Sequence, residues 1–192
     1  MQPIVAALIG PCETIARRHR ELVTFPGKQG GLPGQARKAA LARVMADGLQ
    51  CSALIYATDA DSNDPAERAM VVAEVEAGLA SIDNDVAAVA CVPMGTSEAW
   101  LLADEAAWQG VGLRDGRALP AASPETLWGR PRDQAGQHPK VVFERVCASA
   151  NIEADMAIRR DIAHLSDLDT IGRRCPVSFP PFAAAVRALI AP

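Results

Sequence analysis

Asp59 and Asp61 stand two residues apart where an apolar run, Ser52 to Thr58, breaks into the polar stretch DADSND. In extended chain, residues at that spacing point to one side. Two further acids hold comparable positions. Glu13 follows the apolar run Pro3 to Gly10, and Glu98 lies just past the apolar run Val86 to Val92. Carboxylates converging at one edge repel each other unless one is protonated or a cation neutralises them. Mg²⁺, or Mn²⁺ in its place, suits such a set: it takes oxygen ligands, often one or two carboxylates, and keeps waters that a phosphate can replace. Glu13, Asp59 and Asp61 are therefore the expected metal ligands, and together with Glu98 the expected catalytic acids. Lys140, Arg17 and Arg68 are the expected contacts to a substrate phosphate, with Arg174 a further basic residue of that kind.

Each of these residues also has a plainer reading. Glu13 and Glu98 fall in the first turns of expected helices, where any acid complements the helix dipole. Asp64, followed by Pro65 and Glu67, reads as a helix cap rather than a ligand. Asp59 and Asp61 lack such an alternative beyond the general preference of Asp for turns. The GKQGGLPG stretch (27–34) does not keep the G-x-x-x-x-G-K-[ST] order of a P-loop. His19 falls on an apolar helix face, and His138 and His164 have no partner at ligand spacing.

The elements that must position these residues follow from hydrophobic pattern. Pro3 to Gly10 reads as a first buried strand, with a helix from Cys12 to Val23 after it and a Gly/Pro-rich loop, Phe25 to Gly34. A second helix is expected over about 35–47, stopped by Gly48. The second strand (52–58), a helix from Asp64 to Ala80, the third strand (86–92) and a helix from Ser97 to Trp108 complete the order β-α-α-β-α-β-α. That order implies an α/β fold with a mostly parallel central sheet flanked by helices in three layers. Ligands of such sheets bind beyond the carboxyl ends of the strands, where the acids fall. Residues 110–139 read as a loop-rich excursion around one short helix (124–128). Residues 140–192 read as extra C-terminal helices at about 140–149, 152–165 and 181–190.

At 192 residues the chain is expected to form one domain, and its 49% apolar content is enough for a full core. A net charge of −4 argues against sequence-independent wrapping of nucleic acid by the whole surface, while 19 Lys and Arg leave room for a local basic groove. Five widely spaced cysteines form no C-x-x-C pair and suit buried, reduced thiols in a cytoplasmic protein. No membrane-spanning or targeting segment is visible.

Four segments resemble the bacterial family called domain of unknown function 4276: GTSEAWLLADEAAW (95–108), SFPPFAAAVRAL (178–189), HPKVVFERV (138–146) and ALIYATDADS (53–62). They resemble its E-x-W-L-L-A-D, S-F-x-x-F, P-K-x-x-L (with Phe143 in place of the Leu) and strand-then-D-x-D features, in consistent order over nearly the whole chain. That family is similar to the Toprim fold of topoisomerases, primases and related nucleases. The resemblance implies a Toprim-like fold and Mg²⁺-dependent phosphodiester chemistry. Glu13 then matches the second acid of an E-G-x-[ST]-E motif, Asp59 and Asp61 match the D-x-D, and Glu98 is a further acid. Ile9 stands where that motif has its first Glu, so the resemblance supports the fold more than the activity. Three functions compete: a nuclease-like enzyme on nucleic acid; a catalytically degenerate subunit that partners an ATPase; and a D-x-D metal–nucleotide transferase or phosphatase.

Overall fold

The computed structural model describes residues 1–10, 12–17 and 34–190. Its first element is α1 (Gln2–Ile9), where the apolar run led us to expect a strand. A short continuous apolar run fits a buried strand and a buried helix equally well. Here Pro3 sits at the start of the helix, where its missing N–H costs nothing. Ile4, Val5 and Leu8 are buried, and Gly10 closes the helix at φ 84° with its N–H on the Ala6 carbonyl. Residues 12–17 have no regular structure, so the expected helix from Cys12 is not seen there; its remainder and residues 25–33 of the loop lie outside the described residues.

The next four elements follow the expected boundaries within two residues: α2 (Gly34–Gly48), β1 (Ala53–Ala57), α3 (Pro65–Ala80) and β2 (Ala87–Cys91). Asp64 caps α3 as its spacing implied, accepting from the Ala66 N–H at 2.8 Å. β1 and β2 pair in parallel, Ala53 opposite Ala87 through Ala57 opposite Cys91. Among the described residues the sheet has these two strands, and the expected first strand is replaced by α1.

Alternation along the strands divides the interior. Tyr56 and Val92, with half-buried Leu54, Ala88 and Ala90, face a smaller core built with Ala39 and Ala42 of α2 and Val75 and Leu79 of α3. Val89 and Cys91, with half-buried Ile55, face the larger core. That core is filled by α1 and the C-terminal half of the chain. There lie α4 (Glu98–Leu101), α5 (Glu105–Gly110), α6 (Pro139–Ser149), α7 (Met156–Leu165), α8 (Leu168–Arg174) and α9 (Phe179–Ala188). Between α5 and α6 the excursion holds two short 3₁₀ turns, Gly116–Ala118 and Pro124–Thr126.

Two departures in the second half have local causes. The helix expected over 97–108 is broken between α4 and α5. The Asp104 side chain accepts from the Ala106 N–H (2.9 Å), starting α5 afresh, and from the Asp167 N–H (2.7 Å), tying α5 to the start of α8. The additional helix α8 begins at Asp167, whose side chain accepts from the Thr170 N–H at 2.7 Å.

Trp100 organises the larger core. It packs edge-on to Phe179 (5.1 Å) and stacks on Phe182 (5.3 Å), and its indole N–H donates to the Ser178 hydroxyl at 2.7 Å. The buried carboxylate of Glu125 in turn accepts from the backbone N–H groups of Val177 and Ser178, both at 2.8 Å, and from the Ser178 hydroxyl. One chain of bonds thus joins α4, the excursion and the start of α9.

On the other side of the sheet, α2 and α3 approach through small residues. Ala36, Ala39 and Ala40 are at most 1% exposed, and a β-carbon at Gly78 would fall on the Ala36 carbonyl. Gly78→Ala is expected to destabilise the protein by about 2 kcal/mol. Overpacking of roughly 3 kcal/mol against backbone outweighs the ~1 kcal/mol gained in helix propensity. Urea denaturation checks this: the midpoint should fall with the slope unchanged.

Candidate functional site

Pairing of the two strands continues past their regular ends. The Thr58 N–H donates to the Cys91 carbonyl (3.0 Å), Ala60 to Pro93 (3.2 Å), Asp61 to Gly95 (3.0 Å), and Gly95 back to Ser62 (2.7 Å). The D-x-D loop after β1 is thereby locked to the M-G-T-S loop after β2. Both Asp61 (φ 51°) and Gly95 (φ 60°) take left-handed conformations, which glycine adopts freely and Asp tolerates.

Asp59 sits at the centre of this junction. Its Oδ1 accepts the Ser97 N–H at 3.0 Å, and its Oδ2 is 3.3 Å from the Lys140 ammonium. Burial raises the pKa of its carboxyl above the ordinary carboxylate value, with neighbouring Glu98 adding to the rise. Lys140 and the Ser97 N–H oppose it. Asp61 is exposed beside it.

Glu98 opens α4 and turns inward. It is 6% exposed, accepts from the Thr96 hydroxyl at 2.7 Å, and pairs with Arg159 of α7 at 3.3 Å. The Arg159 guanidinium also lies over the Phe143 ring, 4.8 Å from its centroid. Glu98 therefore joins the site from its buried side, held by a cation of the chain itself.

His138 is the residue the spacing did not single out. It is 1% exposed, and its Nδ1 caps α6 by accepting the Lys140 N–H at 3.3 Å. A ring that accepts at Nδ1 and is neutral carries its proton on Nε2. Burial, helped by Lys140, pushes its pKa below the ordinary histidine value, against the opposing field of Glu98, Asp61 and Asp59. The local signal was present in His138-Pro139, a capping residue followed by proline at a helix start. Arg159 had no comparable signal, because its partner Glu98 is distant in sequence.

The remaining expected residues lie elsewhere. Glu13 is exposed in the irregular stretch 12–17, which follows a helix rather than a strand, so the expectation that it stands at a strand end beside Asp59 is corrected. Arg17 is exposed in the same stretch. Arg68, on α3, donates Nε to the Val92 carbonyl at 2.7 Å. It lines a groove of about 440 Å³ between α3, the free edge of β2, and Pro181 and Phe182 of α9. Arg174 holds the carbonyls of Pro120, Ala121 and Ala122. Of the expected phosphate contacts, Lys140 touches Asp59.

Among the described residues, no three His, Cys, Asp or Glu side chains are grouped so as to hold a metal ion. The donors that fit a divalent cation are the two of the D-x-D: Asp61 is exposed, and the outer oxygen of Asp59 is covered by a lysine 43% exposed. Two carboxylates with waters and substrate phosphate form an ordinary Mg²⁺ environment. No helix among the described residues is long and apolar enough to cross a membrane. No family model, curated protein or solved structure matches the chain.

The raised pKa of Asp59 has a signed consequence. A folded-state value above the unfolded one means that the folded protein binds this proton more tightly, so ionisation of Asp59 opposes folding. Stability from this group is present below the ordinary carboxylate pKa and is lost as pH rises through the raised one. Asp59→Asn, which keeps an acceptor for the Ser97 N–H, should therefore raise Tm at pH 7. The gain should vanish below about pH 4; thermal denaturation of both proteins across that range measures it.

Proposed function

We propose that the carboxyl end of the β1–β2 pair carries out divalent-metal-dependent phosphodiester or phosphoryl chemistry on nucleic acid, within a three-layer, Toprim-like α/β arrangement. The observation that carries this reading is the locking of the D-x-D loop to the loop after β2, which sets Asp59 against the Ser97 N–H with Lys140 on its outer oxygen and exposed Asp61 beside it. Mg²⁺ or Mn²⁺ bound by Asp59 and Asp61 would activate water and neutralise charge on the scissile phosphate. Lys140, on a flexible stem and 43% exposed at its side chain, has the freedom to leave Asp59 for a phosphate oxygen. His138 holds a proton on Nε2, the nitrogen not used by the helix cap. Glu98 acts as a positioning residue: with Thr96 and Arg159 it fixes the start of α4 and so the Ser97 N–H that orients Asp59. On this reading the protein works in the cytoplasm, where its five free thiols stay reduced.

A second reading, a catalytically degenerate subunit that partners an ATPase, has its own support. Ile9 replaces the first acid of the motif, and both Asp59 and Glu98 are already neutralised by Lys140 and Arg159. A nucleotide-dependent transferase is the third, and would bind a nucleotide only with Mn²⁺ present.

Calorimetric titration of Mn²⁺ separates the first two. The wild type should show saturable binding that Asp59→Asn/Asp61→Asn loses while remaining folded. Absence of binding to the folded wild type would remove the metal reading and leave the partner-binding subunit.

A further inference from the structure

We propose that Trp128 is a stacking platform for an unpaired nucleobase whose phosphates run along Arg130, Arg132 and Lys140, which makes single-stranded nucleic acid the substrate class of the strand-end site. The inference rests on the phosphodiester reading above and deepens it.

The three tryptophans are used in two ways. Trp100 and Trp108 are 0% exposed, whereas Trp128 is 37% exposed in a chain with only 4% aromatic residues. Its position beside the acids is fixed by several contacts. The indole lies against His138, 5.4 Å between ring centroids. A β-carbon at Gly95 would come within 3.9 Å of its Cε3, and the Gly95 carbonyl accepts the Asp61 N–H. The ring therefore borders the D-x-D loop.

Its mount is also built. The Asn63 amide donates to the Thr126 carbonyl at 3.2 Å, Glu125 is bonded to the backbone of Val177 and Ser178, and Arg174 holds the carbonyls of residues 120–122. An aromatic ring held ready in this way loses little further freedom when a ligand stacks on it.

Charge selects the ligand. Residues 128–140 carry Arg130, Arg132 and Lys140 against the single acid Asp133, while the whole chain has a net charge of −4. Arg130 and Arg132 are exposed, and among the described residues neither guanidinium has a protein partner. A cationic guest for the indole is disfavoured by these like-charged neighbours. A ligand with a flat aromatic face and repeated negative charge fits both features. Every base offers such a face once it is out of a duplex, and stacking of this kind tolerates any sequence.

The test uses the full chain in EDTA, so that no cleavage intervenes. An oligothymidylate of about 12 nucleotides and a duplex of the same length are titrated and followed by anisotropy and by tryptophan emission, in which Trp128 is the exposed fluorophore. The wild type should bind the single strand about tenfold or more tighter than the duplex, with quenched emission. Trp128→Ala should weaken single-strand binding by about tenfold or more, while Trp128→Phe, which keeps a packed ring on His138, stays within a few-fold of wild type. Arg130→Gln/Arg132→Gln, at exposed positions, should weaken binding and flatten its salt dependence. The proposal is overturned if the wild type binds no oligonucleotide, if duplex binds equally well, or if Trp128→Ala leaves affinity unchanged. Mn²⁺ titration tells the two failures apart. Metal binding with no effect of Trp128→Ala removes the platform and leaves the metal site. Stacking on Trp128 in a protein that takes up no Mn²⁺ removes the metal site and leaves the platform.

Discussion

Everything at the strand ends depends on backbone pairing that outlasts the strands. Each of the bonds from Thr58 to Cys91, Ala60 to Pro93, Asp61 to Gly95 and Gly95 to Ser62 contributes about 1 kcal/mol net. Holding Asp61 in a left-handed conformation costs roughly 1–2 kcal/mol. The two bonds flanking that residue offset the cost, so the D-x-D loop keeps a shape it would not hold alone. With both loops fixed, the Ser97 N–H meets Asp59, and α4 starts where Glu98 can turn inward to Arg159. The acids are placed by backbone geometry first and by their own ion pairs second.

A second network supports the first from below. Trp100, one residue beyond Ala99 in the helix that Glu98 opens, is held by Ser178 and packed by Phe179 and Phe182. Glu125 fixes the other side of Ser178, and the same excursion delivers Trp128 and His138 to the rim. A carboxylate that accepts two backbone N–H groups and a hydroxyl is a strong junction, because charge-assisted bonds are roughly twice as strong as neutral ones. The two ends of the GTSEAW and SFPPF segments are thus one packing unit.

Much of this could be read from residue patterns where the deciding physics is local. Asp64-Pro65-Ala66-Glu67 announces the start of α3, Gly48 the end of α2, and short apolar runs bounded by polar residues the strands at 53–57 and 87–91. Pro3 to Ile9 misled because a short run of apolar residues has no period to distinguish a strand from a helix buried on most sides. Glu13 failed with it, since its expected place derived from that strand. The D-x-D pair was visible because its spacing and its position after a strand are both local. The inward turn of Glu98 was not visible, because Arg159 and Phe143 approach it from separate helices. His138 was legible only as a cap, and its burial against Trp128 depends on the fold of the excursion.

The bond from Trp100 to Ser178 spans 78 positions of chain, and that from Ser178 to Glu125 spans 53. Such long-range closures come late, because the entropy of bringing distant segments together must be met before any contact rewards it. During synthesis β1, α3 and β2 can pair as soon as they emerge, but Glu125 of the excursion lacks its partners until Val177 and Ser178 have left the ribosome. The acids are therefore assembled early on their loops, while the wall beside them closes only after residues 177–182 have emerged. A nascent chain that stops short of Ser178 carries the carboxylates without the packing that braces the helix beside them.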